Sequence, residues 1–198
     1  MKNILLVGTG PMSVDYANVL KKIQCNIIVI GRGEKSAAKF YDKVGILPIT
    51  GGIDEYLKNN LISENTSAII ATGTESLLSA TLSLLKSGID KILVEKPAAL
   101  SIEELLGHKK ILKPYENSVF VAYNRRFYSS VIEAEKLIIE DGGLQSMHFE
   151  FTEWAHIIEP LKKAEGVKKN WFFANSTHVV DLAFFIASIQ ISISSIVL

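Results

Sequence analysis

Three short runs contain residues whose chemistry could combine in one reaction. The first, Gly8-Thr9-Gly10, follows an apolar stretch and can hold a dinucleotide phosphate on free backbone N–H groups. Further on, Glu95-Lys96-Pro97 supplies a lysine that can hydrogen-bond a substrate oxygen, and His178 can accept or donate a proton near neutral pH. If both side chains reach the same nicotinamide ring, hydride transfer is the chemistry they serve. The three runs together predict it more strongly than any one of them alone.

The glycine run has the context that dinucleotide binding requires. An apolar run, Ile4 to Val7, precedes it and a helix-like segment opening at Pro11 follows. The first glycine allows a tight turn, and the second lets the backbone approach a pyrophosphate. Ser13 replaces the third glycine and is small enough to keep helix and strand close. The predicted contacts to the cofactor in this run are Gly8, Thr9, Gly10, Pro11 and Met12.

The end of the second apolar run bears on the choice of cofactor. NAD-binding proteins usually place a carboxylate there, about 20 residues after the glycines, to bind the adenosine ribose. Here the run ends Ile30-Gly31-Arg32, and Arg32 could pair with a 2′-phosphate and stack on adenine. We therefore predict contacts from Gly31 and Arg32 and a preference for NADP over NAD. In the alternative, Arg32 is a solvated charge and Glu34 binds the ribose.

Six positions suggest a substrate site. Lys96 follows an apolar run, at the edge where open α/β sheets bind ligands, and Asp181 lies one helical turn after His178. Tyr123 and Arg126, with Asn124 between them, follow the last apolar run and could bind an anionic or polyhydroxy ligand. Each has a plainer interpretation as well: a surface lysine, a structural histidine, or a hinge between domains with solvated charges.

The elements that position these residues alternate in type over the first part of the chain. Over residues 1–122, strand-like apolar runs alternate with helix-like segments, which predicts a doubly wound parallel α/β sheet. Residues 123–198 predict an incomplete α+β domain with an antiparallel sheet. The expected strands are residues 3–7, 26–30, 46–49, 67–71, 92–94, 119–122, 144–154 and 191–198. The expected helices are residues 11–22, 34–43, 54–58, 75–86, 101–112, 129–140 and 176–187.

Composition narrows the class of protein. Lysine plus arginine equals aspartate plus glutamate at 21 each, which argues against a nucleic-acid-binding protein. The single Cys25 is typical of a reducing compartment, so we expect a cytoplasmic protein. The apolar stretch from Leu182 to Leu198 is interrupted by Gln190 and alternates near its end, which favours soluble structure over a membrane span. The histidines lack metal-ligand spacing, and no metal site is predicted.

With these runs in this order, the sequence resembles the Gfo/Idh/MocA family of glucose–fructose oxidoreductases and inositol dehydrogenases. Ile69-Ile70-Ala71-Thr72 ahead of a helix and Ile92-Leu93-Val94-Glu95-Lys96-Pro97 match the family's most diagnostic region. The resemblance implies an N-terminal Rossmann domain and a C-terminal domain with a mostly antiparallel sheet that often mediates oligomerisation. It also implies NAD(P)-dependent chemistry on a hydroxyl or carbonyl of a sugar, polyol or sugar nucleotide.

Roles for individual residues follow from this resemblance. Lys96 would contact both the substrate and the nicotinamide ribose, and His178 would be the acid or base for the hydroxyl proton. Thr72 and Glu95 join the predicted cofactor contacts. Tyr123, Asn124, Arg126 and Asp181 are the predicted substrate residues.

The sequence also departs from the family pattern. Ala174 stands one turn before His178, where the family usually has an aspartate, and Gly73-Thr74-Glu75 replaces a region where a proline and a later histidine are common. Family members are also longer. The alternatives are therefore a non-catalytic nucleotide-binding module, a fragment of such an enzyme, or a homo-oligomer in which another chain covers the C-terminal sheet. The identity of the substrate and the direction of reaction stay open.

Overall fold

The computed structural model describes residues 2–89 and 91–188. The chain divides into two compact units between Ala122 and Tyr123. The first is built on a five-stranded parallel sheet in the order β2-β1-β3-β4-β5. The strands are β1 (Asn3–Val7), β2 (Asn26–Ile30), β3 (Thr66–Ile70), β4 (Ile92–Val94) and β5 (Val119–Val121). The predicted doubly wound α/β fold is confirmed for this part of the chain.

Both faces of this sheet are covered, which explains why its strands are apolar on both sides. Leu5 and Val7 of β1 pack into one cluster, whereas Leu6 points to the opposite face and packs against Phe40. The helices of this unit are α1 (Pro11–Lys22), α2 (Glu34–Val44), α3 (Ile53–Asn59), α4 (Leu77–Lys86), α5 (Ile102–Gly107) and α6 (Lys109–Leu112). Short 3₁₀ turns span Thr74–Ser76 and Lys113–Tyr115.

Two sequence-based expectations in this unit were wrong. The strand expected at residues 46–49 is reduced to a single parallel bridge between Ile30 and Ile49. Ile49 N–H donates to Val29 O and Ile49 O accepts from Gly31 N–H, and the turn at Gly51-Gly52, both with positive φ, ends the pairing on the carboxyl side. The single helix expected over residues 101–112 is interrupted at His108, directly after Gly107, whose helix propensity is poor.

The second unit, as far as it is described, is helical. It contains a 3₁₀ turn (Asn124–Phe127), α7 (Ser129–Glu140), α8 (Ala155–Ile158), a π-helical turn (Phe172–Ser176) and α9 (Thr177–Ala187). No strand occurs between Tyr123 and Ser188, so the strand expected at residues 144–154 was wrong. A strand needs a neighbour for its backbone groups, and residues 144–154 pair with no strand within residues 2–89 and 91–188. The strand expected at residues 191–198 lies outside the described residues.

Across the described ranges, no helix is both long enough and apolar enough to cross a bilayer.

Candidate functional site

The carboxyl ends of all five strands meet at one edge of the first unit, and most of the candidate cofactor residues leave the sheet there. Backbone hydrogen bonds continue just beyond the strands. Gly8 donates to Ile30 O, Ala71 to Val7 O, and Glu95 to Ile70 O, each at 2.8 Å. These bonds hold the strand tips in register, so the turns that follow them start from fixed positions.

The two glycines of the first turn have different roles in this geometry. Gly8 has φ +125°, and a Cβ there would lie 2.2 Å from the carbonyl oxygen of Ala71. The fully buried Ser13 hydroxyl donates to the same oxygen over 3.2 Å. A Cβ on Gly10, by contrast, would have no atom within 4 Å. Gly8 is therefore required by the close approach of β1 and β3, whereas Gly10 borders open space.

That open space is a groove of about 830 Å³ at the carboxyl end of the sheet, which we call the cofactor groove. It lies beside the start of α1, where free N–H groups and the helix dipole favour an anion. Eight of the predicted cofactor residues line it: Gly8, Thr9, Gly10, Pro11, Met12, Gly31, Arg32 and Thr72. Glu95 and Lys96 are not among its lining residues, and neither is Glu34, the alternative ribose ligand.

Sequence reasoning missed part of this lining. Gly52, Asp54 and Glu75 also border the cofactor groove. Gly51-Gly52 is visible as a turn signal in the sequence, but nothing in the spacing indicates that the turn returns to β2. In the structure Gly52 N–H donates to Gly31 O over 2.9 Å, which places the following residues at the groove.

Glu95 is held by the first helix. Its Oε1 accepts a hydrogen bond of 2.7 Å from the hydroxyl of Tyr16 on α1. Burial, followed by the hydrogen bond and negative charge of Glu95, raises the pKa of the Tyr16 phenol well above its usual value. Lys96 comes next, half-buried, and its peptide bond to Pro97 is cis. The Glu95-Lys96-Pro97 run is thus anchored to the sheet by its backbone and to α1 by a side chain.

In the second unit, Arg126 and Asp181 form a two-pronged ion pair. Arg126 Nε donates to Asp181 Oδ2 over 2.8 Å, and Arg126 Nη2 donates to Asp181 Oδ1. The guanidinium also lies 5.0 Å from the Phe185 ring centre and 5.7 Å from the Tyr123 ring centre. The hydrogen bond to Asp181 raises the pKa of Arg126, against the opposing effect of burial. Asp181, predicted to act near His178, is therefore bound to Arg126.

Tyr123 and His178 lie close together in the same unit. Their ring centres are 6.0 Å apart and the rings are nearly perpendicular, at 78°. Burial raises the pKa of the Tyr123 phenol, and the nearby Thr177 side chain opposes that effect. The negative charge of Asp181 raises this pKa further, whereas the positive charge of Arg126 lowers it. Four predicted residues, Tyr123, Arg126, His178 and Asp181, are thus grouped, whereas Asn124 is exposed on the neighbouring 3₁₀ turn.

A carboxylate that the sequence analysis did not single out organises the turn before His178. Glu153 accepts hydrogen bonds from Trp171 Nε1 (2.8 Å), Asn175 Nδ2 (3.1 Å) and Ser176 Oγ (2.6 Å). Asn175 and Ser176 belong to the π-helical turn that leads into α9. Such turns are frequent at functional sites. The spacing of Glu153 from these donors follows no local pattern, so no motif could have revealed it.

The described residues contain no group of three or more histidine, cysteine, aspartate or glutamate side chains that could hold a metal ion.

Comparisons with known proteins agree with the fold of the first unit. A family model described as "Oxidoreductase family, NAD-binding Rossmann fold" (GFO_IDH_MocA) matches residues 2–123. No curated protein sequence matches the chain.

Solved structures share the fold at low sequence identity. The WlbA dehydrogenase from Bordetella pertussis, solved with NADH and UDP-GlcNAcA, is 17% identical with a TM-score of 0.69, over 94% of this chain and 59% of that one. An oxidoreductase from Agrobacterium radiobacter, solved with NAD+, L-tartaric acid and magnesium, is 18% identical with a TM-score of 0.65, over 93% and 54%.

A scyllo-inositol dehydrogenase from Lactobacillus casei, solved with NAD(H) and scyllo-inositol, is 19% identical with a TM-score of 0.60, over 72% and 42%. This chain therefore spans about half the length of these structures. Since the family model covers well over half of its residues, the chain belongs to the Gfo/Idh/MocA oxidoreductase family, whose members have an NAD-binding Rossmann fold.

Proposed function

We propose that this chain binds a nicotinamide dinucleotide in the cofactor groove and takes part in oxidising or reducing a hydroxyl or carbonyl group of a sugar-like substrate. The observation that carries this proposal is the contrast between Gly8 and Gly10. One is packed against Ala71, and the other borders open space beside the N-terminus of α1. That arrangement fits a pyrophosphate, which needs close backbone approach and free N–H groups.

The roles of the chain's residues follow from their chemistry. The backbone N–H groups of Thr9, Gly10 and Met12 would hold the phosphates, and Arg32 would bind the 2′-phosphate of NADP, which we propose is preferred over NAD. A bound nicotinamide supplies the hydride acceptor or donor. Lys96 would hold the substrate oxygen, and His178 would accept the hydroxyl proton in oxidation or return it in reduction.

The substrate residues support a sugar-like ligand. Arg126 is fixed by Asp181, and the Tyr123 ring lies beside the same guanidinium, with its centre 5.7 Å from the guanidinium carbon. Hydroxyl and guanidinium donors of this kind suit polyhydroxy or anionic compounds. WlbA was solved with a sugar nucleotide and the Lactobacillus casei enzyme with an inositol, which favours this substrate class.

The test is a titration of the folded chain with NADPH and with NADH, followed by nicotinamide fluorescence. Gly10→Ala places a methyl group in the groove, and we expect it to weaken binding about tenfold or more, roughly 1.4 kcal/mol. Gly33→Ala is the matched control. A Cβ there also meets no atom within 4 Å, but Gly33 does not line the groove. Equal binding by both variants would argue against this groove as the cofactor site.

Catalysis is separated from binding by His178→Ala. We expect this variant to lose turnover of the sugar or polyol that the wild-type chain accepts in a substrate screen, yet to keep wild-type affinity for the coenzyme. Turnover by His178→Ala at the wild-type rate would overturn the role of His178. Coenzyme binding without turnover by the wild-type chain would favour the alternative of a non-catalytic nucleotide-binding module, in line with alanine at position 174.

A further inference from the structure

An ion pair lies at the cofactor groove, joining two lining residues that leave different strands. Arg32 follows β2 and Glu75 lies in the 3₁₀ turn after β3, with Arg32 Nη2 3.7 Å from Glu75 Oε1. Since β1 lies between β2 and β3 in the sheet, the pair joins residues on either side of the glycine turn. The Arg32 side chain is 73% exposed and that of Glu75 31% exposed. Both charged groups are therefore accessible to a ligand in the groove.

Glycines beside each partner leave room for this arrangement. A Cβ on Gly52 would lie 3.5 Å from Arg32 Cγ, so the arginine stem runs along the backbone at Gly52. A Cβ on Gly73 would lie 2.4 Å from Glu75 Oε1, so the glutamate folds back over Gly73. Each side chain thus lies against backbone that carries no side chain of its own.

The two charges have opposite consequences for the two coenzymes. NADP differs from NAD by a 2′-phosphate, and a guanidinium binds phosphate through paired, charge-assisted hydrogen bonds. A carboxylate beside that guanidinium competes with the phosphate for the same donors. For NAD there is no such conflict, because a carboxylate can accept hydrogen bonds from ribose hydroxyls. The groove also contains Asp54, but its carboxylate accepts a hydrogen bond from Ser83 on α4.

We propose that Glu75 is a determinant of coenzyme selectivity, competing with the 2′-phosphate of NADP for Arg32 and so limiting the preference for NADPH that Arg32 alone would confer. This rests on the proposed function, since it requires a dinucleotide in the cofactor groove. It adds a second position to the control of selectivity, outside the β2 end where the sequence pattern directs attention.

The experiment measures dissociation constants for NADPH and NADH with Glu75→Gln, which removes the charge and keeps the shape of the side chain. We expect NADPH to bind about fivefold more tightly and NADH to change less than about twofold, as the loss of one partly screened ion pair implies. Glu64→Gln is the matched control: it removes the same charge from an exposed residue in the turn before β3, outside the groove lining. We expect it to change neither constant.

A double variant tests whether Glu75 acts through Arg32. In the Arg32→Ala background, Glu75→Gln should give no gain for NADPH. An equal gain for both coenzymes, or a gain that persists without Arg32, would overturn the inference while leaving the proposed function intact. A folded wild-type chain that binds neither coenzyme would overturn both.

Discussion

In the first unit, the candidate residues leave a parallel sheet whose backbone ladder positions them, and the groove is formed largely by backbone turns at the strand tips. In the second unit, as far as it is described, side chains hold one another: Asp181 holds Arg126, and Glu153 holds the turn before His178. Residues that a backbone ladder places, as in the first unit, are disturbed when a side chain is added at a closely packed glycine. Residues that a side-chain network places, as in the second unit, are disturbed when one buried polar partner is removed, because its hydrogen-bond donors are then left unsatisfied.

The comparison predicts its largest effect at Gly8. Gly8→Ala forces a side chain into the left-handed region and against Ala71 O, so we expect the first unit to lose about 3 kcal/mol or more of stability. Hydrogen exchange of peptides covering β1 and β3 measures this loss. Gly10→Ala, two residues away, should exchange like wild type, because its Cβ meets nothing. Equal protection in both variants would contradict the steric account of the turn.

A smaller loss of stability is expected when the hydrogen bonds to Glu153 in the second unit are removed. Glu153→Ala removes the acceptor for Trp171, Asn175 and Ser176, and Ser176 is 1% exposed, so we expect a loss of about 2 kcal/mol. Urea unfolding followed by tryptophan fluorescence reports on this unit, because both tryptophans, Trp154 and Trp171, belong to it. Glu150→Ala, an exposed glutamate three residues earlier, is the control and should leave the midpoint unchanged.

The ion pair between Arg126 and Asp181 in the second unit should contribute less to stability than the hydrogen bonds of Glu153 do. Asp181→Asn keeps the shape but removes the charge that binds Arg126, and the side chains are 12% and 39% exposed. Solvent around the arginine weakens the pair, so we expect a loss of about 1 kcal/mol by the same fluorescence assay. Asp141→Asn, at the exposed end of α7, serves as control. A loss of equal size in the control would show a general charge effect.

The smallest effect is a dependence on pH in the first unit. Because the pKa of Tyr16 is raised by burial and by Glu95, its phenol keeps its proton at a pH where the unfolded chain has released it. The contribution of Tyr16 to the free energy of unfolding is therefore fully present below a pH of about 10, the usual pKa of tyrosine, and it decreases as the pH rises above that value. Tyr16→Phe should remove part of this fall, at most about 1 kcal/mol at pH 11 after solvent screening.

Urea midpoints at pH 8 and pH 11 measure this dependence. Tyr41→Phe is the matched control, since it removes another phenol, 49% exposed, from the first unit. A pH dependence unchanged by Tyr16→Phe would contradict the assigned role of the bond to Glu95. The pKa of Tyr123 is also raised, so some decline above pH 10 should persist in either variant.

Elements with strong local signals were predictable from the sequence. Strand β1, the turn at Gly8 and the helix opening at Pro11 follow from an apolar run, a glycine pair and a proline at the first helical position. The serine and glutamate three residues apart at the start of α5 also form the cap that this spacing indicates, with Ser101 Oγ accepting from Glu104 N–H. Prediction was wrong at residues 46–49, which form a single bridge at Ile49, and at residues 144–154, which pair with no strand in the part of the chain that the structure describes.

The sequence by itself determined where the glycine turn, the parallel strands and the residues at their carboxyl ends lie. Those features depend on the conformational limits of a few neighbouring residues and on hydrophobic period. Only the tertiary structure decided that Tyr16 would bind Glu95, 79 residues away, and that Asp181 would bind Arg126, 55 residues away. Only the tertiary structure likewise decided that Arg32 would pair with Glu75 and that Glu153 would accept hydrogen bonds from the turn before His178. Side chains that meet after the backbone has folded leave no regular spacing in the sequence, so no local pattern encodes them.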